Sequence, residues 1–403
     1  MSTQPPLSPH SAAPQAPQLL VPIVAAVAVA HLLNDLIQAI LPAIYPMLKV
    51  NFALSFTQIG LISLIFQITA SLLQPWIGLY TDKHPLPFLL PLGMLVTFCG
   101  IGLLAFAPSF AWLLFAAACI GVGSSTFHPE ASRIARMASG GRFGTAQSSF
   151  QVGGNTGTAI GPLLAAAIIV PSGQAAAAWF MLFALLAIFI LLHVSRWSAR
   201  HAKRLVALHN QHSAAKLHGH TLIRALSVIG ILMFAKFTYI ASLSNYYTFY
   251  LIEHFGLSLR NAQLCLFAFL AAVALGTFAG GPIGDRIGRK AVIWFSFLGM
   301  APFALLMPYA NLFWTPILAA MAGLIMSSAF AAMVVYAQEA VPGRVGMISG
   351  LMFGLMFGVS GIAAAGLGHL ADLYGIAWVY QLCSYLPLLG LAAIFLPKTQ
   401  KSV

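Results

Sequence analysis

Seven acidic residues stand among 403, and three of them, Asp35, Glu130 and Glu339, fall inside long apolar stretches or at the end of one. A charge at the centre of a bilayer costs about 2.5–3.5 kcal/mol even on insertion scales, so each needs a partner or a task. Asp35 has His31 four residues before it, Asn34 beside it and Gln38 three residues after it. On a helix His31 and Asp35 share a face. Desolvation and a neighbouring imidazolium act in opposite directions on a buried carboxylate, so such a pair can exchange a proton near neutral pH. Two readings are open: a proton relay, or a satisfied polar pair that locks one helix to its neighbours.

Glu130 follows His128 and Pro129 and precedes Arg133 by three positions. A permanent Glu130–Arg133 bridge makes Glu130 structural, whereas one that opens makes it a second proton site or a gate. The candidates for proton coupling are therefore Asp35, His31, Glu130 and His128. Lys236 is the one ammonium inside an apolar stretch, with Tyr239, Asn245, Tyr246 and Tyr247 beyond it. It suits contact with an anionic substrate, an ion pair with Glu339 or Asp35, or snorkelling to an interface. Gln147, Gln151 and Asn155 recur every four residues as a polar stripe that must face protein or a cavity. Lys236, Tyr239, Tyr246, Asn34, Gln151 and Asn155 form the set of candidate substrate contacts.

The elements that must position these groups follow from composition. The chain is 60% hydrophobic and 6% charged, against about 25% charged in ordinary soluble domains. Twelve apolar stretches are long enough for helices across a hydrocarbon core that needs about 20 residues each. They run near 19–47, 57–80, 87–107, 110–135, 145–170, 175–194, 222–252, 259–283, 290–309, 312–338, 346–370 and 375–396. Stretches that are apolar all round exclude barrel strands, which alternate in polarity. The expected fold is all-α and integral to a membrane. With the N-terminus in the cytoplasm, sixteen Lys and Arg residues fall on inner segments and only Lys49 and Arg260 on outer ones. That asymmetry places both termini inside and assigns the net charge of +12 to lipid headgroups, not to nucleic acid.

One long hydrophilic interruption divides the chain. The expected organisation is a tail over 1–18, six helices over 19–194, a linker over 195–221, six helices over 222–396 and a tail over 397–403. Gly78-Leu-Tyr-Thr-Asp82-Lys83 reappears as Gly281-Pro-Ile-Gly-Asp285-Arg286, and Gly141-Arg142-Phe143-Gly144 as Gly343-Arg344-Val345-Gly346. Two matches at nearly one offset, at equivalent loops, indicate two parallel repeats. Asp82 and Asp285 end their spans where a carboxylate can cap a neighbouring helix N-terminus.

The string Gly281-Pro-Ile-Gly-Asp285-Arg286-Ile-Gly-Arg289-Lys290 resembles the signature loop of the major facilitator superfamily, and Gly157-Thr-Ala-Ile-Gly161-Pro162 resembles the motif of its antiporter branch. The resemblance implies alternating access between two six-helix bundles. It also implies gating roles for Asp82, Asp285, Arg286, Arg289, Gly161 and Pro162, and Arg133 joins this gating set through its spacing to Glu130. Ala117 and Ala118 depart from the pattern, standing where many members place a buried arginine. His31-Leu-Leu-Asn34-Asp35, Gly123-Ser-Ser-Thr-Phe-His128-Pro129-Glu130 and Gln151-Val-Gly-Gly-Asn155 are similar to strings of the bacterial fosmidomycin resistance family. That likeness implies an inner-membrane exporter of a small anionic or polar drug, driven by the proton gradient, acting as a monomer and needing no other cofactor. Proton-coupled uptake of a small organic anion or sugar is the alternative within the fold.

Enzymatic readings are weaker. There is no HExxH string, no Walker loop and no triad-like grouping. Cys99, Cys119, Cys265 and Cys383 lie in separate spans without metal-ligand spacing, so no metal site is expected.

Overall fold

The computed structural model describes residues 18–397 apart from 55, 212–216, 218 and 258. The expected terminal tails, the middle of the linker and the Pro162 side chain therefore lie almost wholly or entirely outside the described residues. Among those described there is no strand. In hydrocarbon every backbone N–H and C=O needs a partner within the chain, and a helix supplies it locally.

The helices are α1 (Val21–Ala43), α2 (Tyr45–Asn51), α3 (Phe56–Lys83), α4 (Leu89–Ala105), α5 (Phe110–Met137), α6 (Phe143–Leu164) and α7 (Val170–Ser172). A π-helical turn over Ala165–Ile169 extends α6, and a 3-10 segment over Gln174–Phe180 leads into the next helix. The second part of the chain holds α8 (Met181–Gln211), α9 (Gly219–Phe255), α10 (Leu259–Ile287), α11 (Arg289–Leu306), α12 (Trp314–Ala340), α13 (Val345–Tyr374) and α14 (Ile376–Ser384), followed by a 3-10 segment over Leu386–Phe395. Each of the twelve apolar stretches falls on helix. Among the described residues ten helical spans are long and apolar enough to cross a membrane by length and composition. Of the other two stretches, α4 is a shorter apolar helix and α6 carries Gln147, Gln151 and Asn155. The start of the expected linker is helical, because α8 runs past 194 to Gln211 through residues such as Ala, Arg, Lys and Leu that favour helix.

Breaks between helices fall at glycines that accept positive φ. Gly288 (φ +97) separates α10 from α11, and Gly375 (φ +85) separates α13 from α14. Side chains such as Trp76, Phe106 and Ile362 are exposed, which suits a surface solvated by lipid.

Packing brings α1 against α6, α3 and α4 against α5, α10 and α11 against α12, and α9 against α13. Contacts of α3 with α13 and of α6 with α10 join the earlier helices to the later ones. The α1–α6 pair is in backbone contact: a Cβ at Gly157 would strike Leu32 O, and one at Gly161 would lie 2.7 Å from Leu36 O. Gly157→Leu is therefore expected to force α6 away from α1. Overpacking costs about 1–3 kcal/mol, read as a lower thermal-unfolding midpoint in detergent. Gly361→Ala on α13, where a Cβ meets nothing within 4 Å, should hold or raise the midpoint, since alanine favours helix over glycine. Equal midpoints for the two variants would refute the contact.

Candidate functional site

The polar centre of the molecule forms where α1, α5 and α6 meet. Asp35 Oδ1 accepts hydrogen bonds from Asn34 Nδ2 (2.9 Å) and Gln38 Nε2 (3.3 Å). His31 Nε2 lies 3.2 Å from Asp35 Oδ2, and His128 Nε2 lies 3.6 Å from Oδ1. Asp35 thus faces donors on every side while retaining 16% exposure of its side chain. Its two imidazole partners are buried. Each of the three residues offers a ligand-capable atom, and these atoms lie within 4.8 Å of one another.

Donor arithmetic fixes the chemistry of this cluster. His31 Nδ1 is 2.7 Å from the Phe150 carbonyl oxygen. A carbonyl only accepts, so Nδ1 carries hydrogen. Two bare lone pairs would repel between Nε2 and Asp35 Oδ2, so one further proton is shared by His31 and Asp35. His128 Nδ1 and Nε2 and Asn34 Oδ1 make no hydrogen bond. Gln38 in turn accepts from Ser124 Oγ at 3.0 Å, tying the cluster to α5. Gly154 makes room for it on α6, since a Cβ there would lie 2.5 Å from the His31 ring and 2.7 Å from Asp35.

Aromatic rings seal the cluster. His31 stacks on Phe150 with centroids 4.0 Å apart and meets Phe127 at 5.5 Å. His128 packs against Phe353 at 4.8 Å and Phe357 at 5.3 Å, both from α13. Sequence reasoning missed Phe353 and Phe357. Two phenylalanines in an apolar helix carry no signal of their own, and only their four-residue spacing shows that they share a face.

The other candidate residues are distributed. Glu130 is buried and bridged by Arg133 through both carboxylate oxygens. Lys236, 2% exposed, donates to Met326 O (2.8 Å) and Ser327 O (3.3 Å) of α12. Among the described residues no carboxylate lies within ion-pair distance of it. Glu339 instead receives Arg289 at 3.4 Å, and Asp35 receives the histidines. Tyr246 donates to Ala364 O of α13. Tyr239 is buried with an unbonded hydroxyl, in a cluster that includes Tyr380 and Cys383 of α14. Lys236 thus turns to α12, whereas Tyr239 and Tyr246 belong to one apolar cluster with α14. Gln151 is buried with its Oε1 unbonded, and Asn155 donates to Thr277 Oγ1 of α10 at 3.0 Å.

Two carboxylates join helix ends. Asp285 accepts from Gly144 N (2.9 Å), Thr145 N (2.7 Å), Thr145 Oγ1 (2.7 Å) and Arg289 Nη1 (2.7 Å). Asp82 accepts from Gly346 N (2.8 Å) and Met347 N (2.9 Å). Each acid thus meets the first turn of a helix from the other part of the chain, α6 or α13, where N–H groups have no helical acceptor. Arg286 is exposed, and Gly161 lies against α1. Between the two clamps Gln338 links Arg136, Ser132 and Ser349.

Comparison with known proteins assigns the chain to a family. The sequence is 56% identical over 380 residues to the fosmidomycin resistance protein of Escherichia coli (strain K12), covering 93% of this chain and 92% of that protein. It is 43% identical over 390 residues to an uncharacterized MFS-type transporter of Bacillus subtilis (strain 168), covering 94% of each. The crystal structure of the human organic anion transporter MFSD10 superposes with a TM-score of 0.75 at 18% identity, over 93% of this chain and 99% of that one. The family model described as Major Facilitator Superfamily matches residues 27–258 and again 226–403. The chain belongs to the major facilitator superfamily, as a multi-pass membrane carrier and not an enzyme.

Proposed function

We propose that the chain exports fosmidomycin or related small anionic or polar drugs across the bacterial inner membrane in exchange for protons. The observation that supports the coupling is the His31–Asp35–His128 cluster, in which two buried imidazoles face a partly exposed carboxylate. The 56% identity to a protein named for fosmidomycin resistance supports the substrate class.

In this reading twelve helices span the membrane, with both termini cytoplasmic. Segments 19–194 and 222–396 move as two bundles about the linker 195–221, flanked by tails 1–18 and 397–403. Alternating access then carries the drug past a site near the midplane, and the carrier works as a monomer surrounded by lipid. Asp82 and Asp285 hold the cytoplasmic end shut, and Glu130–Arg133 is a gate beside them. Asn34, Gln151 and Asn155 serve the substrate from α1 and α6, whereas Lys236 braces α9 on α12 in this state and reaches substrate only on rearrangement.

The test is transport into everted vesicles. Accumulation of labelled fosmidomycin is expected when a proton gradient, acid inside, is imposed, with protons leaving the lumen as drug enters. Accumulation without a gradient would overturn the coupling, and no movement of drug under either condition would overturn the substrate. Gradient-driven uptake of the drug into intact cells would reverse the direction assigned.

A further inference from the structure

The same cluster has the ligand chemistry of a metal site. His31 donates from Nδ1 to a backbone carbonyl and turns Nε2 inward, which is the orientation that outer hydrogen bonds impose on metal-bound imidazoles. His128 is wholly buried, with no hydrogen bond at either ring nitrogen. A tetrahedral zinc ion at about 2.0–2.2 Å from N and O ligands needs those atoms about 3.4 Å apart. His31 Nε2 lies 3.2 Å from Oδ2 of Asp35 and His128 Nε2 lies 3.6 Å from Oδ1, one imidazole at each oxygen of the carboxylate, and one ligand atom from each of the three residues lies within 4.8 Å of the others. A tetrahedral site therefore requires the His128 ring to move closer to His31. Asn34 Oδ1, buried and unbonded beside Asp35, is a further oxygen at the edge of the cluster.

We propose that His31, Asp35 and His128 bind a divalent transition-metal ion, with zinc as its probe, in place of the proton shared by His31 and Asp35. The inference rests on the reading of this cluster as the coupling site. The ion is a visitor that competes with the coupling proton, not a resident cofactor. On binding, His31 Nε2 gives its proton to solvent and presents a lone pair. His128 presents Nε2 as the neutral tautomer with its hydrogen on Nδ1, while Asp35 contributes its carboxylate and one negative charge. Phe127, Phe150, Phe353 and Phe357 close the sides of the site and disfavour strongly hydrated alkaline-earth ions, and two imidazoles select transition metals.

Purified full-length protein in detergent tests this, with His201, His209, His212, His218 and His220 replaced by alanine so that the linker cannot bind metal. Zinc titration by calorimetry should give one ion per chain, and cobalt should give the visible absorption of a site with nitrogen ligands. His31→Ala and His128→Ala should each weaken zinc binding at least about tenfold, with His128→Gln as a conservative companion should the alanine variant unfold. Absence of binding, or binding that survives both substitutions, overturns the proposal. Zinc bound by a chain that moves no drug would sink the export reading and spare this one. Export by a chain that binds no zinc would do the reverse.

Discussion

Asp35→Asn is expected to yield a folded carrier that binds and exchanges drug but no longer uses a proton gradient to accumulate it. The asparagine oxygen can still accept from Asn34 and Gln38 at the position of Oδ1. Its amide nitrogen, placed where Oδ2 stood, donates to His31 Nε2 and removes the need for the shared proton. Both ring nitrogens of His31 are then satisfied in the neutral state, so the site has no reason to load or release a proton. Gradient-driven accumulation should therefore fall to the level of vesicles with no gradient, because a carrier that exchanges no proton draws nothing from the proton gradient. Drug–drug exchange across the same vesicles should persist. The thermal midpoint should hold or rise, because a neutral amide at this depth escapes the cost of a buried charge. Undiminished accumulation by Asp35→Asn would remove the coupling from α1. Loss of exchange as well would make Asp35 a substrate ligand or a structural residue.

How much of this was legible in the sequence depends on the range of each contact. His31 and Asp35 lie four residues apart, and helical periodicity alone puts them on one face. The apolar stretches were equally plain, because a bilayer imposes length and composition directly. That His128 joins them was not visible: it belongs to α5, and no local pattern reports which helices become neighbours. The same limit applies to Phe353 and Phe357, which reach the cluster from α13. Lys236 shows a different gap. Sequence reasoning looks for acidic partners because they are rare in membrane spans, but here the lysine is met by the main-chain oxygens of Met326 and Ser327, and every residue owns a carbonyl. The Gly-Asp repeats, in contrast, were readable as a pair before either contact could be known.

That pairing of repeats sets the second large effect, on the equilibrium between conformations. Asp285 holds the first turn of α6 with two backbone N–H groups and one hydroxyl, and Asp82 holds the first turn of α13 with two N–H groups. Helix N-termini carry about half a positive charge, so each carboxylate is matched to its seat electrostatically as well as by hydrogen bonds. Asp285→Ala deletes three bonds to a charged acceptor and also leaves Arg289 with only its longer contact to Glu339. At about 1.5–3 kcal/mol each before the freed N–H groups are hydrated, even one net bond shifts the balance towards opening at this end by about a decade or more. Asp82→Ala should shift it less, having two bonds to lose. The double variant should open furthest, since both clamps resist one movement. Spin labels on the ends of α6 and α10 would report the separation as a distance distribution, with the longer population growing in the order Asp82→Ala, Asp285→Ala, double variant. Transport should decline in the same order, because a carrier that rests open at one end spends less time returning. Unchanged distances in the double variant would mean that α3–α13 and α6–α10 packing closes this end without the carboxylates, and the clamps would then be consequences of closure and not its cause.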